Sequence, residues 1–117
     1  MFDSRNETLT QLNTDLNAIK SVTVIPNLTC IDYYRVSECF RIGKLVVLNC
    51  SFRFTQSGNL TFASVGASPR GNWAVGMLSV SDGSGISATC EIKDGNMTGY
   101  IPVANTWYTF SACYFVD

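Results

Sequence analysis

The chain has 117 residues, of which 46% are hydrophobic and 15% are charged, and its formal net charge at pH 7 is −1. This composition fits one globular domain and is too apolar for a disordered chain, while the charge excludes a basic nucleic-acid-binding surface. The sequence contains no histidine and no apolar run of the roughly 18–20 residues that a membrane span needs, so His-based catalysis, most zinc sites and membrane insertion are not expected.

The first predicted element is an amphipathic helix over residues 2–20, within a coiled-coil trimerisation segment at 1–21. Its apolar side chains follow the 3-4-3 spacing of a coiled-coil seam, and Phe2 extends the pattern one heptad back. The seam residues are Leu9, Leu12, Leu16 and Ile19. Two to three heptads are too short to be stable alone. The helix therefore needs a partner, which is either identical helices in a higher oligomer or its own β domain.

After a predicted linker at 22–32, apolar residues alternate with polar ones, which is typical of β-strands. The alternation is clearest at 44–55, and Asp94-Gly95 predicts a tight hairpin because glycine accepts a positive φ. Strands are predicted near 30–36, 39–42, 44–55, 59–65, 73–81, 85–92, 97–101 and 106–116. So many short strands predict an antiparallel β-sandwich or jelly-roll-like head domain at 33–117.

The last predicted strand, 106–116, is apolar on both faces. One face carries Tyr108, Phe110, Ala112, Tyr114 and Val116, and the other carries Trp107, Cys113 and Phe115. A strand of this kind is often covered on both sides. We expect the second cover to be a neighbouring subunit, with the N-terminal segment as the alternative.

The five cysteines are odd in number and contain no closely spaced pair, which argues against a zinc site or a full disulfide framework. Cys50 and Cys90 continue apolar strand faces, so buried, reduced thiols are predicted. A Cys30–Cys39 disulfide is the main alternative. Reduced thiols indicate folding in a reducing cytoplasm.

No catalytic constellation, cofactor motif or metal site is recognisable, so we predict that the protein is not an enzyme and holds no cofactor. Aromatic and polar residues near predicted turns are the candidates for ligand binding, because rings stack on sugars while polar neighbours bind hydroxyls. These candidates are Arg70, Asn72, Trp73, Tyr100, Asn105 and Trp107. The alternative for each ring is packing in the core or in an interface.

Several segments together resemble the C-terminal domains of bacteriophage tail fibres and receptor-binding proteins. They are the opening from Phe40 to Val47, the turn and apolar strand from Gly58 to Phe62, the Ser68-Pro69-Arg70 turn, the strand from Val75 to Val80, the hairpin from Ile92 to Met97, and the aromatic strand from Trp107 to Val116. The resemblance covers residues 33–117. At Ser64-Val65-Gly66 the sequence departs from the Leu-Pro usual in the family.

The resemblance implies a homotrimer whose heads recognise the host cell surface without catalysis. It implies bacterial cell-surface polysaccharide or protein and other phage tail proteins as partners, assembly in the bacterial cytoplasm, and display on the virion tail. Three alternatives stay open: a structural baseplate or fibre-tip protein, a monomeric secreted carbohydrate-binding or adhesin domain, and a trimeric jelly roll similar to tumour necrosis factor. In the last alternative, the five N-x-[ST] sequences would be N-glycosylation sites. Otherwise we attribute them to a composition rich in Asn and Thr, because no signal peptide is recognisable.

Overall fold

The computed structural model describes residues 19–80 and 85–117, and in these ranges it is mainly β, as predicted. The strands are β1 (Ile19–Ser21), β2 (Val24–Pro26), β3 (Ile31–Ile42), β4 (Leu45–Phe54), β5 (Gly58–Val65), β6 (Trp73–Val80), β7 (Ser87–Lys93), β8 (Asn96–Ile101) and β9 (Thr106–Phe115). A short 3-10 helix, Arg70–Asn72, precedes β6. The part of the chain that is described contains no helix of the length and hydropathy needed to cross a membrane.

All of these strands belong to one antiparallel sheet in the order β1-β3-β4-β9-β6-β7-β8-β5-β2. Three pairings are nested in the chain: β6 with β7, β5 with β8 outside them, and β4 with β9 outside those. Nested pairs of this kind are typical of Greek-key β folds. The nesting makes the C-terminal strand β9 a central strand of the sheet, between β4 and β6.

The segment containing β1 and β2 joins the two edges of the sheet. β1 pairs with β3 at one edge and β2 pairs with β5 at the other, although only two residues separate β1 from β2. Between them, the Val22 amide donates to the Cys39 carbonyl at 3.0 Å, and the Gly66 amide donates to the Thr23 carbonyl at 2.8 Å. The sheet is therefore curled, and this segment covers both of its outer edges.

These two short strands differ from the prediction. Ile19–Ser21 replaces the last turn of the predicted helix, and Val24–Pro26 lies within the predicted linker. The sheet edges offer unpaired backbone groups to this segment, and satisfying them outweighs the weak local preference for helix at its end. The rest of the predicted helix, with Phe2, Leu9, Leu12 and Leu16, lies outside the described residues.

The inner face of the curled sheet holds the hydrophobic core, with β4 and β9 at its centre. The predicted alternation of β4 is confirmed, because Val46, Leu48, Cys50, Phe52 and Phe54 are all buried. Five aromatic rings meet edge to face, with centroids 5.3–6.1 Å apart. These rings belong to Phe52, Phe54, Phe62, Tyr108 and Phe110.

One predicted hairpin is confirmed, and two predicted strands are found to be a single bulged strand. Asp94 and Gly95, with φ of 53° and 75°, form the tight turn between β7 and β8 that was predicted. The strands predicted separately at 30–36 and 39–42 are one strand, β3, with a bulge between Arg35 and Glu38. The predicted turn at 81–85 lies almost entirely outside the described residues.

The strand directions define two ends of the sheet. At the near end, where residues 1–18 join β1, the aligned residues are Ile19, Ile42, Leu45 and Phe115. At the far end the aligned residues are Ile31, Phe54 and Thr106. β4 has ten residues, so the two ends lie about 30 Å apart.

Candidate functional site

The six predicted ligand-binding residues do not form one site, because the fold separates them. Arg70, Asn72 and Trp73 lie at the near end, beside the 3-10 helix. Asn105 and Trp107 lie at the far end, before and on β9, whereas Tyr100 lies on β8 about midway between the two ends. Tyr100 is separated from Trp107 by two intervening strands, β6 and β7.

At the near end, two of these residues are engaged by the protein itself. Arg70 donates to the Val116 carbonyl at 3.3 Å, pairs with Asp117 at 3.5 Å, and lies 5.7 Å from the ring centroid of Phe115. Asn72 bonds the Asp94 carboxylate through its amide nitrogen. These contacts hold the C-terminal residues and the β7–β8 hairpin in place, so they have a structural role.

At the near end there is also a shallow groove of about 570 Å³, lined mainly by the loop before β6 and by the C-terminal residues. The groove includes Arg41, Pro69 and Asp117. Trp73 is exposed beside Lys93 on the neighbouring strand and does not line the groove. Among the described residues, those that line the groove thus include no aromatic side chain.

At the far end, Trp107 belongs to a cluster that the sequence analysis only partly anticipated. We call Asp32, Tyr33, Arg53 and Trp107 the far-end cluster. The rings of Tyr33 and Trp107 are stacked, with centroids 6.5 Å apart and planes at 28°. The Arg53 guanidinium lies 5.9 Å from the Tyr33 centroid and forms an ion pair with Asp32.

The strand register brings this cluster together. Arg53 on β4 is paired with Tyr33 on β3 and with Trp107 on β9, so the three side chains project from the outer face in one row. The loop before Trp107 is held by the buried Tyr108 hydroxyl, which donates to the Val103 carbonyl at 3.0 Å. The Asn105 amide adds a bond to the Phe54 carbonyl at 2.7 Å. These hydrogen bonds fix the backbone that precedes Trp107.

The far-end cluster has the chemistry of a sugar-binding surface. Tyr33 and Trp107 remain 61% and 39% exposed, which leaves ring surface for stacking. Arg53 supplies donors and Asp32 supplies acceptors, and their side chains are about one third exposed, so both can still reach a ligand hydroxyl. Only one carboxylate is present, so the cluster lacks the carboxylate pair that glycoside hydrolysis uses.

Sequence reasoning found Trp107 but missed its three partners. Arg53 lies on the polar face of the most clearly alternating strand, which was a usable signal. Tyr33 lies 74 positions before Trp107, and nothing local in the sequence indicates that the two rings meet. Their contact depends on which strands neighbour β4, and this topology is a non-local property of the fold.

A second surface covers the near half of the same outer face, and we call it the outer band. Its first row is Ile19, Ile42, Leu45 and Phe115, and its second row includes Phe40, Val47 and Cys113. Val75 and Met77 on β6 continue it, and a depression of about 410 Å³ lies between these strands. Phe115 and Met77 are 57% and 48% exposed. Exposed apolar side chains grouped in this way make the outer band a candidate interaction site.

The outer band bears directly on the prediction for the last strand. The inner face of β9 is buried, as predicted, whereas Trp107, Cys113 and Phe115 on its outer face are exposed in the single chain. The described part of the chain, residues 19–80 and 85–117, supplies no second layer over β9. The prediction that another subunit or the N-terminal segment covers this face therefore stays a prediction.

The cysteines are all unpaired thiols in the structure, and the predicted burial holds for four of them. Cys113 is the exception, because it lies on the outer face of β9. The alternative Cys30–Cys39 bridge is not formed: the neighbour of Cys39 is Cys50, with 3.1 Å between the two Sγ atoms. Burial raises the pKa of Cys90 to about 12, so that thiol stays protonated at neutral pH.

Comparison of the chain with protein-family models, with curated proteins and with solved structures found no match in any of the three.

Proposed function

We propose that this chain is the receptor-binding head of a trimeric phage tail fibre, which binds host cell-surface carbohydrate without catalysis. The observation that carries the proposal is the far-end cluster. Two stacked, exposed rings stand beside an exposed ion pair on a rigid strand row, at the end of the sheet opposite to residues 1–18. This combination is suited to stacking on a sugar and hydrogen bonding to its hydroxyls.

The placement of the cluster supports this function. A fibre head is attached at one end and meets its ligand at the other. Residues 1–18 join the sheet at the near end, beside Ile42, and the far-end cluster lies about 30 Å away along β4. The cluster would therefore face away from a shaft formed by the N-terminal segments.

The outer band supports assembly, with two further copies of the chain as its occupants. Ile19 is both the last seam position of the predicted helix and the first residue of the outer band, because it pairs with Ile42. A coiled coil of three N-terminal segments would thus continue directly into an apolar surface on each head. Burying both around one axis would cover the outer face of β9, and three sites on one rigid head would raise avidity without new contacts.

Binding is tested with fluorescently labelled full-length protein on an array of bacterial surface polysaccharides and on intact bacteria. Replacing Trp107 by alanine removes one of the two stacked rings. We expect its affinity for any polysaccharide that the wild-type protein binds to fall at least about tenfold, as for an anchor residue in a binding site.

The matched controls are Tyr100→Ala and Trp73→Ala. Both remove an exposed ring that the sequence predicted to bind ligand as readily as Trp107. One ring lies on β8 and the other at the near end. Both variants are expected to bind as the wild type does. Equal binding by Trp107→Ala and wild type would reject the far-end cluster. A trimer that binds none of the surfaces would favour the structural fibre-tip alternative.

Assembly is tested by light scattering after size-exclusion chromatography, with and without reductant. We expect wild-type protein at three times 12.8 kDa in both conditions. Met77→Glu places a charge in the outer band and should shift the mass to one chain, because an unpaired buried charge is strongly unfavourable. Ser79→Glu is the control, since Ser79 lies on the same strand and face but opposite Thr109, outside the band.

A wild-type monomer would contradict the trimer and favour the monomeric secreted carbohydrate-binding or adhesin domain. Deleting residues 1–18 then identifies the cover of the outer band. If that deletion makes a monomeric protein bind a hydrophobic dye or aggregate, residues 1–18 cover the band. If Ser79→Glu disrupts the trimer as strongly as Met77→Glu does, the interface is not confined to the outer band.

A further inference from the structure

Cys39 and Cys50 form a buried thiol pair in the wall of the core. They lie on the neighbouring strands β3 and β4, and 3.1 Å separates their Sγ atoms, which share a hydrogen bond. Both residues are almost completely buried. This separation is about 1 Å longer than a disulfide bond, so the two sulfurs are within a small movement of covalent contact.

The remaining cysteines have different surroundings. Cys30 donates to the Asn27 carbonyl at 3.5 Å, and Cys90 packs against Gly99. Cys113 is exposed on the outer face. Cys39 and Cys50 are the only thiols within hydrogen-bonding distance of each other among the residues that the structure describes.

The backbone next to the pair can accommodate the movement. The register of β3 and β4 shifts between Arg35 and Glu38, so β3 carries extra residues opposite Cys50. A bulge leaves part of the ladder unpaired and bends its strand, which allows small local displacements at low cost. Cys39 lies in the regular pairing from Glu38 to Ile42, directly after this bulge, so we expect the small approach of the two sulfurs to be accommodated beside the bulge.

We propose that Cys39 and Cys50 are a disulfide-forming site, which closes when the chain meets a small-molecule disulfide such as glutathione disulfide. The proposal does not rest on the receptor-binding function. This disulfide would covalently join β3 to β4 beside the bulge. We therefore expect a chain synthesised with reduced thiols to acquire one internal cross-link outside a reducing compartment.

The exchange proceeds in two balanced steps. The Cys39 thiolate attacks one sulfur of glutathione disulfide, forming a mixed disulfide and releasing one glutathione thiolate. The Cys50 sulfur, after losing its proton, then attacks the Cys39 sulfur and expels the second glutathione thiolate. Two protein thiols are oxidised, one glutathione disulfide is reduced to two thiols, and the two protons pass from the cysteines to the leaving groups.

The order of the steps follows from the electrostatics of the pair. The hydrogen bond that Cys39 shares with Cys50 lowers the pKa of Cys39, so Cys39 is the more readily ionised thiol. The same hydrogen bond, together with burial, raises the pKa of Cys50. Cys39 is therefore the attacking group, and Cys50 resolves the mixed disulfide.

The test uses the full chain and peptide mapping, because each cysteine lies on its own tryptic peptide: 21–35, 36–41, 45–53, 71–93 and 94–117. One sample of folded, reduced protein is incubated with glutathione disulfide, and a second is refolded in the same buffer. Once the free thiols are blocked, we expect the intact protein to carry three blocking groups and to have lost the mass of two hydrogens from the other two cysteines. Its digest should contain peptide 36–41 linked to 45–53.

Single substitutions complete the test. Cys39→Ala and Cys50→Ala should each abolish the internal cross-link, and Cys90→Ala, which removes another buried thiol, should retain it. A reducing glutathione buffer should restore the original mass. The proposal is overturned if both samples lack the linked peptides 36–41 and 45–53, if Cys39 pairs with Cys30 instead, or if Cys90→Ala abolishes the link equally.

Discussion

Replacing Phe62 by alanine is expected to lower the free energy of unfolding by about 3–5 kcal/mol, the usual cost of removing a large buried ring. Phe62 is completely buried, and its ring meets those of Phe52, Phe54 and Phe110 at centroid distances of 5.3–6.0 Å. The cavity left by the ring would open at the centre of this cluster, where surrounding rings on several strands cannot all move inward. Because domains of this size are stable by roughly 5–15 kcal/mol, the variant would lose a large part of its stability.

Urea unfolding followed by tryptophan fluorescence gives the difference between Phe62→Ala and wild type. Tyr100→Ala is the control, since it also truncates an aromatic ring but one that is exposed on β8. Its expected cost is within about 1 kcal/mol, as for most surface positions. A loss for Phe62→Ala no greater than that of the control would show that the aromatic cluster is not the centre of the core.

Replacing Gly76 by alanine is expected to destabilise the protein by about 1–3 kcal/mol, although only one methyl group is added. A Cβ built on Gly76 would lie 2.5 Å from the ring of Phe110, and 3.3 Å from the Ser111 carbonyl oxygen. The Phe110 ring is fully buried against Phe62, so it has no free space into which it can rotate. The clash must therefore be relieved by separating β6 from β9.

Gly66→Ala is the matched control for this substitution. A Cβ at Gly66 meets only Thr23, at 3.5 Å or more, and its φ is not positive. Alanine there reduces the freedom of the unfolded chain, so a change between zero and a gain of about 1 kcal/mol is expected. Thermal unfolding of both variants separates the two effects, and equal transition temperatures would contradict the close packing of β6 on Phe110.

Local sequence patterns were sufficient for features that depend on a single strand or a single turn. The alternation of Phe52 and Phe54 with polar residues predicted which face is buried, because successive side chains in a strand point to opposite sides. Asp94-Gly95 predicted its hairpin because a two-residue turn depends on the φ preferences of its own residues. Neither prediction required knowledge of which strands are neighbours.

Local patterns were insufficient where two distant segments meet. Tyr33 and Trp107 stack only because β3 and β9 lie on the two sides of β4, and Cys39 meets Cys50 beside a bulge. The heptad spacing that ends at Ile19 did not predict that Ile19–Ser21 is a strand. This strand forms because the backbone of Ile19 pairs with Ile42 at a sheet edge, which lies far away in the sequence. Register, bulges and edge pairing are set by the whole sheet, so these features needed the structure.

The outer face of β4 and β9 has two chemically different halves, and this division has a mutational consequence. Under the proposed function, we expect substitutions at Met77 or Phe115 to change assembly, and substitutions at Trp107 or Tyr33 to change ligand binding. The row between them, which includes Ser51 and Thr109, is polar and separates the two surfaces. We therefore expect that the affinity of a single binding site and the oligomeric state can be altered separately in the same protein.

The central position of β9 also constrains how the protein is made. β9 pairs with β4, which is synthesised some fifty residues before it, and with β6, which is synthesised some thirty residues before it. Neither strand can form this pairing until β9 has been synthesised. Until then the growing chain carries the phenylalanines of β4 without the strand that covers one side of it. Pairings so distant in the chain form slowly. The sheet is thus completed only after β9 has been made, and a chain that ends before Thr106 would lack a central strand of its sheet.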